Sequence, residues 1–362
     1  MRNLLNSTRA ASAALFITLL FIPFDNTYAQ QGFSPYFVID SFTLSETVPI
    51  KSALNDWEGN TFTRGKRQWT HNWLEAGIRY NHFSIGELRR VDYDLRFSKD
   101  LAEIYWRTSN KKEFEADQPY YARLQVNSFK AKGIRFAFHH EFEQLKYSIG
   151  ISWLKANEFY DGKIVGDIFS TSETEYNFDL ALDYHYTEDR LFDRVVDEPD
   201  GEGFSFDITL NYSWQQHNFH LRVKDLYGKI IWYDAPFTTG QAGSDRNDTD
   251  EDGFVIVNPT LSGFEGITNK YEQKLEPLST IEYRFALNDE WQLGLMNKTQ
   301  YGHSIQGANV SYGQNVKFNL GYWLDSEIIQ AGFSYHRFHV SLGLDSLKEE
   351  DMEKLWLSIS WQ

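Results

Sequence analysis

The segment FSFDITLNYSW, residues 204–214, alternates between large apolar and small polar residues along its whole length. One face of the extended chain therefore carries Phe, Phe, Ile, Leu, Tyr and Trp, and the other carries Ser, Asp, Thr, Asn and Ser. A period of two residues indicates a β-strand with one apolar and one polar face. The segment also has about the length of a tilted strand that crosses a bilayer, roughly 9–11 residues. Strands of soluble sandwiches alternate too, but they usually have about five or six residues.

The same alternation recurs along most of the chain. Tyr176–Tyr186 places Tyr, Phe, Leu, Leu, Tyr and Tyr on one face and mostly polar residues on the other. Further alternating segments cover residues 91–97, 145–153, 316–324, 329–335, 338–344 and 355–361. The two longer segments carry aromatic residues at the ends of their apolar faces, where a membrane barrel has its interface girdles. Length and aromatic ends together indicate strands that cross a membrane.

The composition agrees with a barrel and excludes several other classes of protein. The chain of 362 residues has 17% aromatic residues, no cysteine and a net charge of −16, and its mean hydropathy is −0.51. Helical membrane proteins are more apolar, because each span needs roughly 18 or more consecutive apolar residues. The acidic balance argues against nucleic acid as a partner. The lack of cysteine excludes a disulfide scaffold and thiol chemistry.

The start of the chain has the pattern of a secretory signal peptide. Arg2 and Arg9 precede a mostly apolar run over residues 10–24. Ala29, with the smallish Thr27 two positions before it, suits the position before a cleavage site. We predict a signal peptide over residues 1–29, with an N-terminal membrane anchor as the alternative. The mature chain then begins near Gln30 and leaves the cytoplasm.

The links between the alternating segments indicate the topology. Short polar links at residues 143–144, 215–218 and 288–290 suit hairpins between antiparallel strands. Longer links, acidic and rich in glycine, are expected at residues 187–203 and 236–253. Short turns at one rim and long loops at the other are typical of outer-membrane barrels.

The predicted fold is therefore all-β, a single antiparallel transmembrane β-barrel over residues 30–362 with roughly 14–18 strands, about 16 as the best estimate. The region 30–68 is less regular than the rest. Its segment PYFVIDSFTL, residues 35–44, is either the first strand or part of a plug or periplasmic segment.

Over nearly the whole mature chain the sequence resembles Gram-negative outer-membrane β-barrel proteins of the porin and transporter kind, without indicating a subfamily. The segment HLRVKDLYGKIIWYD, residues 220–234, is also similar to strands of FadL-like barrels that transport hydrophobic substrates. The resemblance implies contact with outer-membrane lipid and lipopolysaccharide, and insertion by the barrel-assembly machinery. That machinery commonly reads an aromatic last residue, whereas here Gln362 follows Trp361.

The faces opposite the apolar ones are strongly polar, and in a barrel they face the lumen. They carry both signs of charge, which predicts a hydrated interior or one that ion pairs fill. The predicted lumen-lining residues are Arg79, Asp92, Asp94, Arg96, Asp179, Asp183, His185, Asp207, Arg222 and Lys224.

These residues lead to three hypotheses about function. The first is a channel or transporter for a small solute or a polymer, in which the inward charges set the selectivity. The second is a closed barrel that serves as a structural or accessory subunit of a surface or export assembly. The third is a rim enzyme that uses the same-face pairs Asp92 and Asp94 or Asp183 and His185. Lumen polarity explains these pairs more simply, and no nucleophile elbow or zinc spacing occurs, so we predict no catalytic residues.

The stretch NDTDEDGF, residues 247–254, resembles the beginning of a calcium loop. Asp248, Asp250 and Asp252 alternate and Gly253 follows, as in the first half of an EF-hand loop. The twelfth position is Pro259, which has no ligating side chain, so an EF-hand is excluded. We predict an extracellular loop with a possible Ca²⁺ site if a second loop donates an acid, and a solvated acidic loop tip is the alternative.

Overall fold

In the computed structural model, residues 32–189 and 194–362 are described, and their strands form one antiparallel sheet. Of its 16 strands, 14 close into a barrel and two lie outside the closed ring. The predictions of an all-β barrel and of about 16 strands are thus confirmed. The predicted signal peptide lies outside the described residues.

The closed ring contains β1 (Phe33–Ser45), β2 (Arg67–Tyr80), β3 (Phe83–Phe97), β4 (Gln118–Phe142), β5 (Leu145–Ser170), β7 (Asp200–Trp214), β8 (His217–Thr249), β10 (Leu278–Ala286), β11 (Trp291–Gln300), β12 (His303–Tyr312), β13 (Val316–Trp323), β14 (Ile328–Tyr335), β15 (Phe338–Leu344) and β16 (Lys354–Trp361). The two strands outside it are β6 (Tyr176–Tyr186) and β9 (Val255–Lys274). Two helices, α1 (Ile50–Ala53) and α2 (Lys99–Ser109), lie in the loops. In the described part of the chain, neither is long and apolar enough to cross a bilayer.

The ring closes because the first strand pairs with the last. β1 is hydrogen-bonded to β16 on one side and to β2 on the other, so the segment 35–44 is part of a strand. Closure satisfies the backbone groups that an open sheet would expose to lipid. Short turns at residues 81–82, 143–144, 215–216, 287–290, 313–315 and 336–337 lie at one end of the ring, here called the short-turn rim. Both helices lie at the opposite end, the long-loop rim.

The wall is much taller on one side than on the other. β4, β5 and β8 have 25, 26 and 33 residues, whereas β11 and β15 have 10 and 7. At about 3.3 Å per residue, the long strands exceed what a hydrocarbon core of about 30 Å requires. Their upper parts, together with β6 and β9, form an extension beyond the long-loop rim.

The strands of the extension show that the prediction of two long loops is partly wrong. β7 already begins at Asp200, and β8 continues to Thr249 with β9 as its partner. The predicted loops at residues 187–203 and 236–253 are therefore partly strand. Strands of the extension carry polar and glycine residues because they lie beyond the membrane, and such a composition is also that of a loop.

An apolar belt surrounds the ring between the short-turn rim and the extension. On β5, Ile149, Ile151 and Trp153 are exposed on the outer surface, whereas Lys163 and Asp167 are exposed in the extension. Exposed apolar residues continue around the ring at Ile134, Phe136, Phe206, Phe219, Ile281, Leu293, Leu295, Phe318, Leu320, Ile329 and Leu342. A band of this kind is the lipid-facing surface of an outer-membrane β-barrel.

The extension has its own apolar core. Ser98 caps α2 by accepting a hydrogen bond from the Leu101 backbone, and α2 buries Leu101 and Ile104 in this core. The same cluster contains Leu180 and Leu182 of β6. The apolar face of β6, which we predicted to be that of a membrane strand, therefore packs inside the extension. A strand with one buried face alternates in the same way whether helix or lipid covers that face.

Candidate functional site

The middle of the lumen is closed by buried charged side chains. We call this layer the septum and define it by Asp40, His71, Arg90, Asp92, Lys224, Asp225 and Lys298, all buried. The Lys224 Nζ donates to Asp40 Oδ2 at 2.9 Å. Lys224 lies on β8 and Asp40 on β1, and these strands are on nearly opposite sides of the ring. A direct bond between them therefore crosses the lumen.

Arg90 is the centre of the septum. Its Nη1 and Nη2 donate to the two carboxylate oxygens of Asp225, both at 2.7 Å, and Nη2 also donates to Asp92 Oδ2 at 2.8 Å. The guanidinium carbon lies 5.2 Å and 5.0 Å from the ring centroids of Trp73 and Phe129. A fork-shaped donor suits this bidentate pairing, and the rings enclose a cation that is weakly hydrated.

His71 connects Arg90 and Lys224. Its Nδ1 is hydrogen-bonded to Asp92, and its Nε2 lies 3.0 Å from Lys224 Nζ. An ammonium group can only donate, so Nε2 accepts and the proton of a neutral His71 is on Nδ1. Trp356 completes the chain by donating from Nε1 to Asp40 Oδ1 at 3.1 Å. Apart from Lys298, the septum residues form one continuous hydrogen-bonded network.

Lys298 adds a third cation to the septum. Its Nζ lies 4.1 Å from the ring centroid of Trp356 and 4.7 Å from that of Phe42. The cations Arg90, Lys224 and Lys298 thus balance the carboxylates of Asp40, Asp92 and Asp225. The layer as a whole is therefore neutral, and Lys298 contacts aromatic rings and not a carboxylate.

A second charged layer lies on the short-turn side of the septum. Arg135 donates to the Asp207 carboxylate from Nε and Nη2, at 2.8 Å and 2.6 Å. Its Nη1 donates to Glu75 Oε1 at 3.2 Å, and Tyr36 donates to the same oxygen at 2.6 Å. These residues come from β1, β2, β4 and β7, so this layer occupies one side of the lumen and leaves the other side open.

A third layer lies on the long-loop side. Asp94 is buried between Arg96, at 2.8 Å, and Arg67, at 3.5 Å. Trp69 Nε1 donates to Gln300 Oε1 at 2.9 Å, which joins β2 to β11. Charged side chains therefore form three successive layers in the lumen, namely the septum and one layer on each side of it.

The short-turn end of the lumen contains two large cavities. Their volumes are about 590 Å³ and about 450 Å³. Val38, Asn211 and Arg222 line both, and Lys224 and Arg135 line the larger one. We call the two together the vestibule. It leads from the short-turn rim to the septum.

Seven of the predicted lumen residues lie inside the ring. Asp92 and Lys224 belong to the septum, Asp207 to the second layer, and Asp94 and Arg96 to the third. The remaining two, Arg79 and Arg222, line the vestibule.

The other three predicted lumen residues do not line the lumen, because β6 lies outside the closed ring. Asp179 and Asp183 are on the exposed face of β6, opposite the residues that it buries in the extension. The His185 ring stacks on Tyr271 at a centroid distance of 3.8 Å. Alternation correctly separates the two faces of β6. It does not show whether the polar face lines the lumen or, as here, faces water outside the ring.

The two side-chain pairs considered for a rim enzyme are poorly placed for that role. Asp92 and Asp94 are enclosed in the lumen, and both are paired with arginines. Asp183 accepts a hydrogen bond from Thr239 at 3.2 Å, whereas His185 contacts Thr268 at 3.2 Å. No contact between Asp183 and His185 of the kind that general acid–base catalysis requires is present in the described residues.

Residues 250–254, here called the acidic turn, contact a lysine from another loop. Lys111 Nζ lies 3.0 Å from Asp250 Oδ2 and is also bonded to Asp252. Asp250 Oδ1 accepts from the backbone of Asp252 at 3.0 Å and of Phe254 at 2.9 Å. The Lys111 bond, followed by the backbone donors, lowers the pKa of Asp250.

No cluster of three or more metal-ligating side chains occurs in the described residues. The Asp248 side chain lies outside them. Calcium binding by Asp248, Asp250 and Asp252 therefore stays a prediction.

Several of the lumen charges lie outside the predicted set. Arg90 lies two positions before Asp92, so the inward face of β3 already included it. Asp40 is absent from the predicted set because the sequence alone does not show whether residues 35–44 form a strand or part of a plug. Asp225 follows Lys224 directly, and strict alternation would place the two on opposite faces, although both are buried.

Comparisons with known proteins found likeness only among solved structures, since no family model matches the chain and no curated protein sequence does. The Ralstonia pickettii toluene transporter TbuX is 9% identical, with 90% of this chain and 88% of that chain covered and a TM-score of 0.43. The P. putida toluene transporter TodX is 8% identical, with 91% and 87% covered and a TM-score of 0.39. A Pseudomonas aeruginosa FadL homologue is 8% identical, with 91% and 86% covered and a TM-score of 0.33. Likeness at this level carries no conclusion about function.

Proposed function

We propose that the protein is an outer-membrane transporter or channel of a Gram-negative bacterium that passes a small polar solute through its lumen. The observation that carries this proposal is the vestibule, whose larger cavity of about 590 Å³ ends at the septum. A cavity of this size, enclosed by a barrel wall and lined by polar groups, suits a solute. The apolar belt supports the membrane location.

The chemistry of the septum supports a closed state that can open. A buried network of ion pairs is often no more stabilising than apolar residues of the same volume. A barrel that only had to be filled would be filled as well by leucine and phenylalanine. Charged groups, in contrast, can exchange their partners for water or for a polar solute when the lumen hydrates.

A closed structural barrel is the second candidate, and one observation favours it. Arg90 and Lys224 have carboxylate partners inside the septum, and Lys298 is held among aromatic rings. One further charged layer lies on each side of the septum. A lumen with so many satisfied side chains is stable without any solute, as a subunit of a surface assembly would require.

Conductance in a planar bilayer distinguishes the two candidates. The test variant combines Asp40→Ala with Lys224→Ala, which removes the bond across the lumen without changing the net charge. The control combines Lys229→Ala with Glu272→Ala, a partly exposed pair at 2.7 Å in the extension.

We expect small or brief openings from the wild-type protein and from the control, and larger, longer openings from the septum variant. If all three proteins are folded and none conducts or takes up solute, the transporter proposal is wrong and the structural candidate replaces it.

A further inference from the structure

The vestibule has the opposite charge balance to the rest of the chain. The whole sequence has a net charge of −16. The vestibule is nevertheless lined by seven basic side chains against four acidic ones and the chain terminus at Gln362. The basic residues are Arg79, Arg135, Lys146, Arg222, Lys224, Arg284 and Lys317. A cleft with one sign of charge and walls of low dielectric constant concentrates ions of the other sign.

Most of these cations already have a carboxylate partner. Arg135 is paired with Asp207 and Glu75, and Lys224 with Asp40. Lys146 is paired with Glu141 and Arg284 with Glu282, at 3.0 Å and 2.7 Å. These pairs neutralise each other and leave little attraction for a solute.

Arg79, Arg222 and Lys317 are different, because none of them has a carboxylate within 4.0 Å among the described residues. Lys317 lines only the smaller cavity, whereas Arg79 and Arg222 both line the larger one. The Nε of Arg79 is buried and has no hydrogen-bond partner there. A buried donor without an acceptor costs the free energy of its desolvation, about 1–3 kcal/mol and more for a charged group. An anion in the vestibule would supply that acceptor.

The two arginines lie on different strands and line one cavity. Arg79 is on β2 and Arg222 on β8, and both line the larger cavity. Arg222 also lines the smaller one. Uncharged polar groups lie around them, including Thr209, Asn211 and the Ser84 hydroxyl. Guanidinium groups bind the oxygens of carboxylate and phosphate in a fork geometry, which hydroxyl and amide groups can complete.

We infer that the vestibule is a binding site for a small soluble oxyanion, a carboxylate or a phosphate, with Arg79 and Arg222 as its cationic partners. As the substrate class of the lumen, the inference rests on the proposed function. As a binding site it stands alone, because the vestibule is accessible from the short-turn rim whether or not the septum opens.

Calorimetric titration of the folded barrel in zwitterionic detergent, with inorganic phosphate and with citrate as probes, tests the inference. We expect the double variant Arg79→Gln with Arg222→Gln to lose tenfold or more in affinity. Because neither arginine is in an ion pair, the variant is expected to fold. The control is Arg89→Gln, which removes one arginine from an exposed pair with Glu87 outside the lumen.

Affinity should fall with added chloride in the wild-type protein, and the double variant should lose most of that salt dependence. An affinity that is equal in the wild-type, double-variant and control proteins would overturn the inference, as would the absence of binding to the folded wild-type protein.

A lipid headgroup is the other source of phosphate. In the second arm, vesicles with and without phosphatidylglycerol compete with the soluble probes. If phosphatidylglycerol binds in an Arg79- and Arg222-dependent way and inorganic phosphate and citrate do not, the soluble-anion site is wrong.

Reversal potentials in a KCl gradient then separate this inference from the proposed function. If the protein binds phosphate but does not conduct, the inferred binding site is supported and the transporter proposal is wrong. If the barrel conducts, selects cations and binds no phosphate, the transporter proposal is supported and the inferred binding site is wrong.

Discussion

At the scale of single residues, the lumen depends on charges that are buried together. Arg89 and Arg90 are neighbours on β3 but have opposite surroundings. Arg89 is exposed beside Glu87, whereas Arg90 is fully enclosed with Asp92 and Asp225. A strand turns successive side chains to opposite faces, so one step along the chain separates a surface residue from the centre of the septum.

Substitution of Arg90 tests the septum. Arg90→Met leaves two buried carboxylates without their cation, and breaking a buried pair costs about 3–5 kcal/mol. We expect the free energy of unfolding in lipid vesicles, measured by urea titration, to fall by that amount. The control Arg89→Met should stay within about 0.5 kcal/mol of the wild type, as exposed substitutions usually do. Equal losses of unfolding free energy in the two variants would contradict the role of Arg90 as the centre of a buried septum.

A second residue-scale prediction concerns the acidic turn. The pKa of Asp250 is lowered, chiefly by its bond to Lys111, so the contribution of Asp250 to the turn is present above its unfolded pKa. That contribution is lost as the pH falls below about 4 through the lowered folded pKa. A spin label at Thr249→Cys, the only cysteine in the variant, reports on the contact by its mobility.

The label should be immobilised at neutral pH and should become mobile in acid. Adding Lys111→Gln should make it mobile already at neutral pH. If this second change leaves the label immobile, the contact with Lys111 does not hold the turn. Calcium added to the Lys111→Gln variant also tests the predicted calcium site, because binding would immobilise the label again.

At the scale of elements, β5 has two environments along one strand. Its lower part places Ile149, Ile151 and Trp153 in the apolar belt, and its upper part places Lys163 and Asp167 on the surface of the extension. The pairing register with β4 shifts between Lys130 and Ala131, which lies between the two parts. A bulge of this kind bends a strand where it leaves one structural context for another.

Arginine substitutions along β5 locate the membrane. Ile151→Arg places a charge in the belt and should cost about 2–4 kcal/mol if the position is near the bilayer midplane. Asp167→Arg, on the same strand in the extension, should change the free energy of unfolding by less than about 0.5 kcal/mol. Urea titration in vesicles measures both. A large loss from Asp167→Arg would place the extension in lipid.

At the scale of the whole molecule, the two rims are expected to lie on opposite sides of the membrane. Short turns usually face the periplasm and long loops the cell exterior. The vestibule would then open to the periplasm, and the extension with its acidic turn would face outward. The net charge of −16 belongs largely to surfaces other than the vestibule.

The absence of cysteine makes the orientation easy to test. Lys348→Cys lies in an exposed loop at the long-loop rim, and Gln216→Cys lies in an exposed turn at the short-turn rim. A thiol reagent that does not cross membranes should label the first variant on intact cells. It should label the second only after the outer membrane is permeabilised. The reverse labelling pattern would show that the barrel has the opposite orientation in the membrane.

The sequence alone determined that this protein is an antiparallel barrel with an apolar outside and a polar inside. The period of two in residues 204–214 and the aromatic ends of such faces are local properties, and local spacing is sufficient to specify a strand and its two faces. The inward positions of Asp92, Asp207 and Lys224 follow from the same parity.

The tertiary structure decided what each face meets. The polar face of β6, with Asp179 and Asp183, meets water because β6 pairs with β5 and β8 outside the ring. Likewise, Lys224 reaches Asp40 because ring closure brings β8 and β1 to opposite sides of one narrow lumen. Period specifies that a strand has two faces, whereas the contacts of those faces depend on which distant strands close the ring.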